Sequence, residues 1–214
     1  HALDLDERPE RTGRFLLSKA AVLGELGREM RALQVLQEAE QCLNRKKQQT
    51  LWLRLRLDQL YFLCYAERFT VASPLVSETL ELAEKVGSPA HKMEASWLVG
   101  RIFAGLGKHD KALDVLQSVW DGYLEDGYVF EGLTAALDFA AVLTAKGESA
   151  RVEEIARALE AWTQNKKLSD TARTTLKMFC KVAGRGMKLE RAKRFAGEFR
   201  KSDTRLTRPY IIPV

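Results

Sequence analysis

A turn signal that recurs every forty residues constrains this chain more than any other feature of its sequence. Gly27, Gly107 and Gly147 each follow an apolar helical stripe, and Ala66-Glu67-Arg68 takes the same place in between. In the clearest copy, residues 97–116, apolar residues recur at helical spacing before Gly107 and again after it. This pattern predicts two amphipathic helices joined by a tight turn. Such a hairpin, repeated at a fixed period, predicts an all-α protein whose units stack on their neighbours.

The period extends over residues 14–200, which contain about five hairpins. Two series of large apolar residues stand forty apart: Leu17, Leu57, Trp97 and Leu137 in the first helices, and Val35, Leu75, Val115 and Ile155 in the second. The fifth copy is degraded, because Leu176 and Phe179 fit only after a one-residue shift, which we expect the turn at residues 184–187 to absorb. Residues 1–13 form a lead-in or the end of a preceding helix, and residues 201–214 form an extended tail.

Pro74 interrupts the second repeat. If Thr70 caps the second helix, Pro74 removes one backbone hydrogen bond from its first turns; if Ser73 is the cap, Pro74 occupies the first helical position. We favour the start at Ser73, because proline is well tolerated at that position.

Composition indicates one domain with an ordinary core. The hydrophobic content is 46%, and no apolar run approaches the roughly 20 residues that a membrane-spanning helix needs. The first eight residues are polar and do not resemble a signal peptide. Cys42, Cys64 and Cys180 are widely spaced within apolar helical patterns, which argues against a disulfide framework and favours a reducing cytoplasm.

The hairpins resemble tetratricopeptide repeats, in which small residues lie where two helices touch. Those positions are occupied by Ala20 and Ala32 in the first repeat and by Gly100 and Ala112 in the third. The chain is most similar to the C-terminal repeat regions of large bacterial regulatory proteins, which suggests that it belongs to a longer polypeptide. The resemblance implies a right-handed α-solenoid that serves as a protein-interaction scaffold or adaptor, regulating or assembling a bacterial complex.

The resemblance also implies a binding groove lined by the first helices of the repeats. Transferring the groove positions of the family selects Arg14, Arg54, Tyr61, Tyr65, Glu94, Trp97, Arg101 and Arg173. Arginine and aromatic side chains dominate the binding energy of many interfaces, so these residues are the predicted contacts for a peptide or a partner domain. The alternative is that the aromatic residues belong to the core and the arginines to a solvated face.

Two features near the C-terminus suggest further contacts. Residues 181–208 contain ten Lys or Arg against three acidic residues, although the whole chain has a net charge of only +5. A nucleic-acid-binding accessory is therefore the alternative function, with Lys188, Arg191, Lys193, Arg194, Arg200 and Lys201 as its phosphate contacts. The other interpretation is a solvated cationic helix face. In the tail, Tyr210, Ile211, Ile212 and Val214 form an apolar cluster that we expect to pack on the last repeats or on a partner.

The sequence gives no indication of an enzyme. His1, His91 and His109 are not at metal-ligand spacing, no CxxC occurs, and no glycine-rich phosphate loop is present. We therefore predict a non-enzymatic interaction protein without a cofactor or a metal.

Overall fold

The computed structural model describes residues 3–183 and 186–202, which form helices and short turns and contain no strand. The first helices of the repeats are α1 (Leu3–Glu25), α3 (Gln49–Tyr65), α6 (Pro89–Gly105), α8 (Val129–Ala145) and α10 (Asp170–Ala183). The second helices are α2 (Glu29–Cys42), α4 (Phe69–Ala72) continued by a 3-10 turn (Ser73–Leu75) and α5 (Val76–Val86), α7 (His109–Glu125), α9 (Ser149–Glu160) continued by a 3-10 turn (Ala161–Gln164), and α11 (Leu189–Lys201). The all-α prediction is confirmed for these residues.

The helix boundaries follow the forty-residue period. Each second helix begins forty residues after the previous one, at Glu29, Phe69, His109, Ser149 and Leu189. The equivalent core residues Leu17, Leu57, Trp97 and Leu137 are all buried, with exposures of at most 9%. These positions therefore occupy equivalent places in the first helices, whereas in the second-helix series Val35 is buried and Leu75, Val115 and Ile155 are partly exposed.

The turn that closes each first helix has the same backbone conformation in the first four repeats. Gly27, Gly107 and Gly147 have φ values of +67°, +72° and +75°, and Glu67 adopts +53° at the equivalent position. After α3, the N–H of Arg68 donates to the carbonyl of Leu63 at 2.8 Å, and the same bond joins Glu148 to Leu143 at 3.0 Å after α8. These bonds satisfy helix-terminal carbonyls and require one residue in the left-handed region. The predicted equivalence of Gly27 and Gly107 is confirmed.

The repeat region differs from the sequence-based prediction at its first helix and agrees with it at its last hairpin. Helix α1 begins at Leu3, so residues 3–13 are helical and continuous with the first repeat. In the fifth repeat the left-handed glycine is Gly186, one residue before the position equivalent to Gly147, while α11 returns to the forty-residue register. This confirms the predicted one-residue shift. The apolar tail residues Tyr210, Ile211, Ile212 and Val214 lie outside the described residues.

The prediction that Ser73 caps the second helix of the second repeat is wrong. Helical structure begins at Phe69, and residues Ser73–Leu75 form a 3-10 turn inside it. Pro74 has no N–H, so the regular hydrogen bond to the fourth preceding carbonyl cannot form there. The backbone tightens locally instead of beginning a new helix at this point.

The chain divides into two compact units, His1–Leu106 and Gly107–Val214. In the first unit α3 packs against α1, α2, α4, α5 and α6, which explains why this helix is apolar around most of its circumference. In the second unit α8 packs against α7, α9 and α11, and α10 packs against α9 and α11. No helix among the described residues combines the length and apolarity needed to cross a bilayer.

Three glycine changes test the turn assignment. Gly107→Ala should lower the free energy of unfolding by about 1 kcal/mol, because a side chain is strained at φ +72°. Glu67→Gly should raise it by up to about 1 kcal/mol, because it relieves the same strain. As the control, Gly197→Ala lies within helix α11 and should raise stability by roughly 0.5–1 kcal/mol. Denaturant unfolding measures all three, and a stabilising Gly107→Ala would contradict the assignment.

Candidate functional site

Six of the eight predicted groove residues lie on two neighbouring helices of the first unit. Helix α3 carries Arg54, Tyr61 and Tyr65. Helix α6, which packs against α3, carries Glu94, Trp97 and Arg101. Spacings of three, four and seven residues place each trio along one side of its helix. We refer to these six residues as the aromatic–arginine cluster.

The aromatic half of the cluster consists of three neighbouring rings and one guanidinium group. The ring centroids of Tyr61 and Tyr65 are 4.5 Å apart, and their hydroxyl oxygens are 3.0 Å apart. Tyr61 lies 6.3 Å from the ring of Trp97. The guanidinium carbon of Arg101 lies 5.1 Å from the Tyr65 ring and 5.2 Å from the Trp97 ring, within cation–π range of both. The two tyrosines and Arg101 are half-buried, so part of this surface is open to solvent.

The charged half of the cluster lies toward the start of both helices. Arg54 Nε is 3.4 Å from Oδ2 of Asp58, whose side chain is only 2% exposed. Burial raises the pKa of Glu94 to about 7, although the positive charge of Arg54 opposes that rise. Burial also lowers the pKa of Arg54, which the charge of Glu94 opposes in turn. The cluster therefore contains a carboxyl group that titrates near neutral pH.

His91 adjoins this charged half but has a structural role. The His91 Nδ1 accepts a hydrogen bond from the backbone N–H of Ser88 at 3.2 Å, and the backbone N–H of His91 donates to Ser88 Oγ at 3.3 Å. This reciprocal pair caps the start of α6. Burial and the charge of Arg54 lower the pKa of His91, which favours the neutral imidazole that accepts at Nδ1.

The other two predicted groove residues are not part of the cluster. Arg14, on α1 of the first unit, is exposed and pairs with Glu10 at 2.9 Å, one helical turn away. Arg173, on α10 of the second unit, pairs with Asp170 and donates to the carbonyl of Leu168 at 3.1 Å. Both arginines are engaged by residues close to them in sequence.

Sequence reasoning missed a buried ionic network on α3. The guanidinium of Arg56 donates to Glu78 on α5 at 2.8 Å, to Glu40 on α2 at 2.9 Å and to Gln59 at 2.6 Å. Trp52 Nε1 also donates to Glu78, at 3.0 Å. The sequence contained a signal for this network in residues 51–60. Arg54 and Arg56 are two positions apart, so their side chains must point to different sides of a helix.

Arg200 differs from the other five predicted phosphate contacts, because it is already paired within the fold. Arg200 forms a 2.5 Å ion pair with Asp138 of α8, and both side chains are only about one-tenth exposed, at 11% and 12%. Its guanidinium is committed to packing α11 on α8, which corrects its assignment as a nucleic-acid contact. The remaining basic residues, Lys188, Arg191, Lys193, Arg194 and Lys201, are exposed.

The second unit also contains a cavity next to a cysteine. A cavity of about 650 Å³ in the second unit is lined by side chains of both charge signs, including Glu153, Arg157 and Lys177, and by Cys180. Burial and the charge of Glu160 raise the pKa of the Cys180 thiol to about 11, so the thiol is protonated at neutral pH. Within residues 3–183 and 186–202, no group of three or more His, Cys, Asp or Glu is arranged to hold a metal ion.

No family model, no curated protein and no solved structure matches this chain.

The raised pKa of Glu94 predicts a pH dependence of stability. The pKa is about 7 in the folded protein against an ordinary 4.5, so the folded state holds this proton more tightly than the unfolded state does. The contribution is complete below pH 4.5 and is lost as pH rises through 7. Between pH 6 and pH 8 the free energy of unfolding should therefore fall by about 1 kcal/mol relative to the Glu94→Gln variant.

Glu10→Gln provides the matched control for this measurement. The hydrogen bond from Arg14 lowers the pKa of Glu10, so this carboxyl does not titrate between pH 6 and pH 8. Denaturant unfolding across that range should show the slope in the wild type and in Glu10→Gln, and a flatter profile in Glu94→Gln. Parallel profiles for the wild type and Glu94→Gln would contradict the raised pKa.

Proposed function

We propose that this chain is a non-enzymatic interaction module that binds a peptide or a segment of a partner protein at the aromatic–arginine cluster. The observation that carries the proposal is the position of the Arg101 guanidinium over both the Tyr65 and the Trp97 rings on a half-buried surface. Arginine, tyrosine and tryptophan are the residues most enriched among interface hot spots.

The packing of the cluster also favours binding over a purely structural role. Tyr61 and Tyr65 contact each other through tilted rings and a hydrogen bond between their hydroxyls, and Arg101 contacts two rings, so these side chains are restrained before a partner binds. A preorganised surface loses less entropy on association than a flexible one. Tyrosine and tryptophan add large contact area with few rotatable bonds.

We further propose that the helices are tetratricopeptide-like repeats of an α-solenoid with about five hairpins. The forty-residue spacing of the second-helix starts and the recurring left-handed turn support this architecture. In such arrays the first helices of successive hairpins provide the binding surface. The cluster lies on two consecutive first helices, α3 and α6, which agrees with that arrangement.

The double variant Tyr65→Ala/Arg101→Ala tests the proposed binding site. Peptides selected from a random display library on the immobilised wild-type chain provide the ligand, and their affinity is then measured by fluorescence anisotropy. We expect the double variant to weaken binding at least tenfold, because hot-spot losses reach about 2 kcal/mol or more. Arg54 is kept, because its removal would leave the buried carboxylate of Asp58 without this cationic partner.

Arg173→Ala is the matched control, because this predicted groove residue lies outside the cluster and pairs locally with Asp170. Its affinity for the selected peptides should stay within about twofold of the wild type, since the side chain is engaged by Asp170 and Leu168 of its own unit. If the double variant binds the peptides as tightly as the wild type while its circular dichroism spectrum is unchanged, the site lies elsewhere.

A further inference from the structure

The second unit places a helix on the face of α8 that corresponds to the aromatic–arginine cluster. Asp138 of α8 stands eighty positions after Asp58 of α3, which lies about one helical turn before Tyr61. In the first unit, α3 packs against α1 and α6, the first helices of the neighbouring hairpins. In the second unit, α8 packs against α11, the second helix of the last hairpin. The last hairpin therefore presents a different helix to the repeat before it.

Two side-chain contacts join α11 to this face of α8. The rings of Phe199 and Phe130 are stacked, with centroids 4.9 Å apart. Nη1 of Arg200 lies 2.5 Å from Oδ1 of Asp138. Thr134, which lies between Phe130 and Asp138 on the same side of α8, is only 5% exposed. A helix thus packs on this face through an aromatic residue and the charged residue next to it.

The corresponding face of α3 and α6 is more open. Tyr61, Tyr65, Glu94 and Arg101 are each partly exposed. Ala141, the residue of α8 at the position of Tyr61, is only 8% exposed although it is much smaller. Part of the face that carries the cluster is therefore available to a helix supplied by another molecule.

The polar groups near the cluster suit a helix better than an extended peptide. An extended segment brings backbone N–H and C=O groups that lose water on binding and need new partners. Helix α6 contains neither Asn nor Gln. In α3, Gln59 is hydrogen-bonded to Glu40, and Gln49 lies about three turns before Tyr61. A helix satisfies its own backbone and needs only side-chain contacts.

We propose that the segment bound at the aromatic–arginine cluster is an amphipathic helix of a partner protein, which lies across α3 and α6 as α11 lies on α8. This inference rests on the proposed function. The bound helix presents an apolar side chain to Tyr61 and Tyr65 and a carboxylate to Arg101. The charges are reversed relative to the second unit, where α8 supplies the carboxylate of Asp138 and α11 supplies the arginine.

The size of such a partner follows from helix geometry. Helix α11 has 13 residues and, at about 1.5 Å per residue, is about 20 Å long. Packed helices lie about 8–10 Å apart, so a helix of this length reaches across both α3 and α6. Its contact residues then recur on one side, three or four positions apart.

Two display libraries of equal length test the conformation of the bound segment. Both carry the same randomised positions. The fixed positions are Ala and Gln in the first library, which favour a helix, and Gly and Pro in the second, which prevent one. Both are selected on the full wild-type chain. We expect only the Ala/Gln library to yield segments that bind the wild type at least about tenfold more tightly than Tyr65→Ala/Arg101→Ala.

Variants of a selected segment then test its conformation and its charge. Proline at a central position should abolish binding to the wild type, and the losses in an alanine scan should recur every three or four residues. Both measurements use the wild-type chain, so they do not depend on how well a variant folds. At least one acidic residue of the segment, when changed to its amide, should weaken binding to the wild type and leave binding to Arg101→Ala unchanged.

The possible contrary results separate this inference from the proposed function. Cluster-dependent segments from the Gly/Pro library, or alanine-scan losses at every second residue, would overturn the helix and leave the proposed function intact. Segments without an acidic residue coupled to Arg101 would overturn the assigned charge. If neither library yields a segment that distinguishes the wild type from Tyr65→Ala/Arg101→Ala, the proposed function fails and this inference fails with it. A wild-type dimer on sizing that the double variant disrupts would assign the cluster to a second copy and overturn the partner helix.

Discussion

The left-handed residue at the end of each first helix is the constraint on which the repeat structure depends. It fixes the point at which the chain reverses, and the hydrogen bonds around it satisfy carbonyls that would otherwise lose their partners. This residue recurs at positions 27, 67, 107 and 147. The helices on either side of it therefore begin and end at equivalent positions of the forty-residue period. Glu67 adopts this conformation at a strain cost of about 1–2 kcal/mol, partly offset because glycine would lose more backbone entropy on folding, so the packing of the flanking helices outweighs a local preference.

Helix α3 combines two charge systems with different roles. On one side, Arg56 is buried and hydrogen-bonds to Glu40, Gln59 and Glu78, which ties α3 to α2 and α5. Breaking a buried network of this kind is costly, because each remaining charge would keep its desolvation penalty. On the other side, Arg54 lies near Asp58 and Glu94 at the start of the aromatic–arginine cluster. One helix therefore both holds the first unit together and carries half of the proposed contact residues.

The parts of this structure that sequence could predict are those governed by local periodicity. The all-α class, the turn positions and the one-residue shift of the fifth repeat all follow from apolar spacing and from Gly27, Gly107 and Gly147. The start of the helix containing Pro74 could not be predicted in this way. A 3-10 turn within the helix accommodates this proline, whereas a simple capping rule places it at the helix start. The family resemblance selected eight groove candidates, and the structure brings six of them together on α3 and α6. Whether Arg54, Arg56 or Arg200 meets a carboxylate depends on the folded arrangement, including distant residues such as Glu40, Glu78 and Asp138.

The register also shows why the cluster is confined to the second and third repeats. At the position of Tyr61 and Arg101, the first and fourth repeats have Ala21 and Ala141. At the position of Tyr65, the later repeats have Gly105 and Ala145, neither of which carries a ring. The core positions of Leu17, Leu57, Trp97 and Leu137 stay apolar because every hairpin must pack on its neighbour, whereas the positions of Tyr61 and Tyr65 change between aromatic, charged and small residues. Arg14 keeps the cation of Arg54 in the first repeat, but the rings of Tyr61 and Tyr65 serve no packing need common to all hairpins, which supports our proposal of a binding site at this cluster.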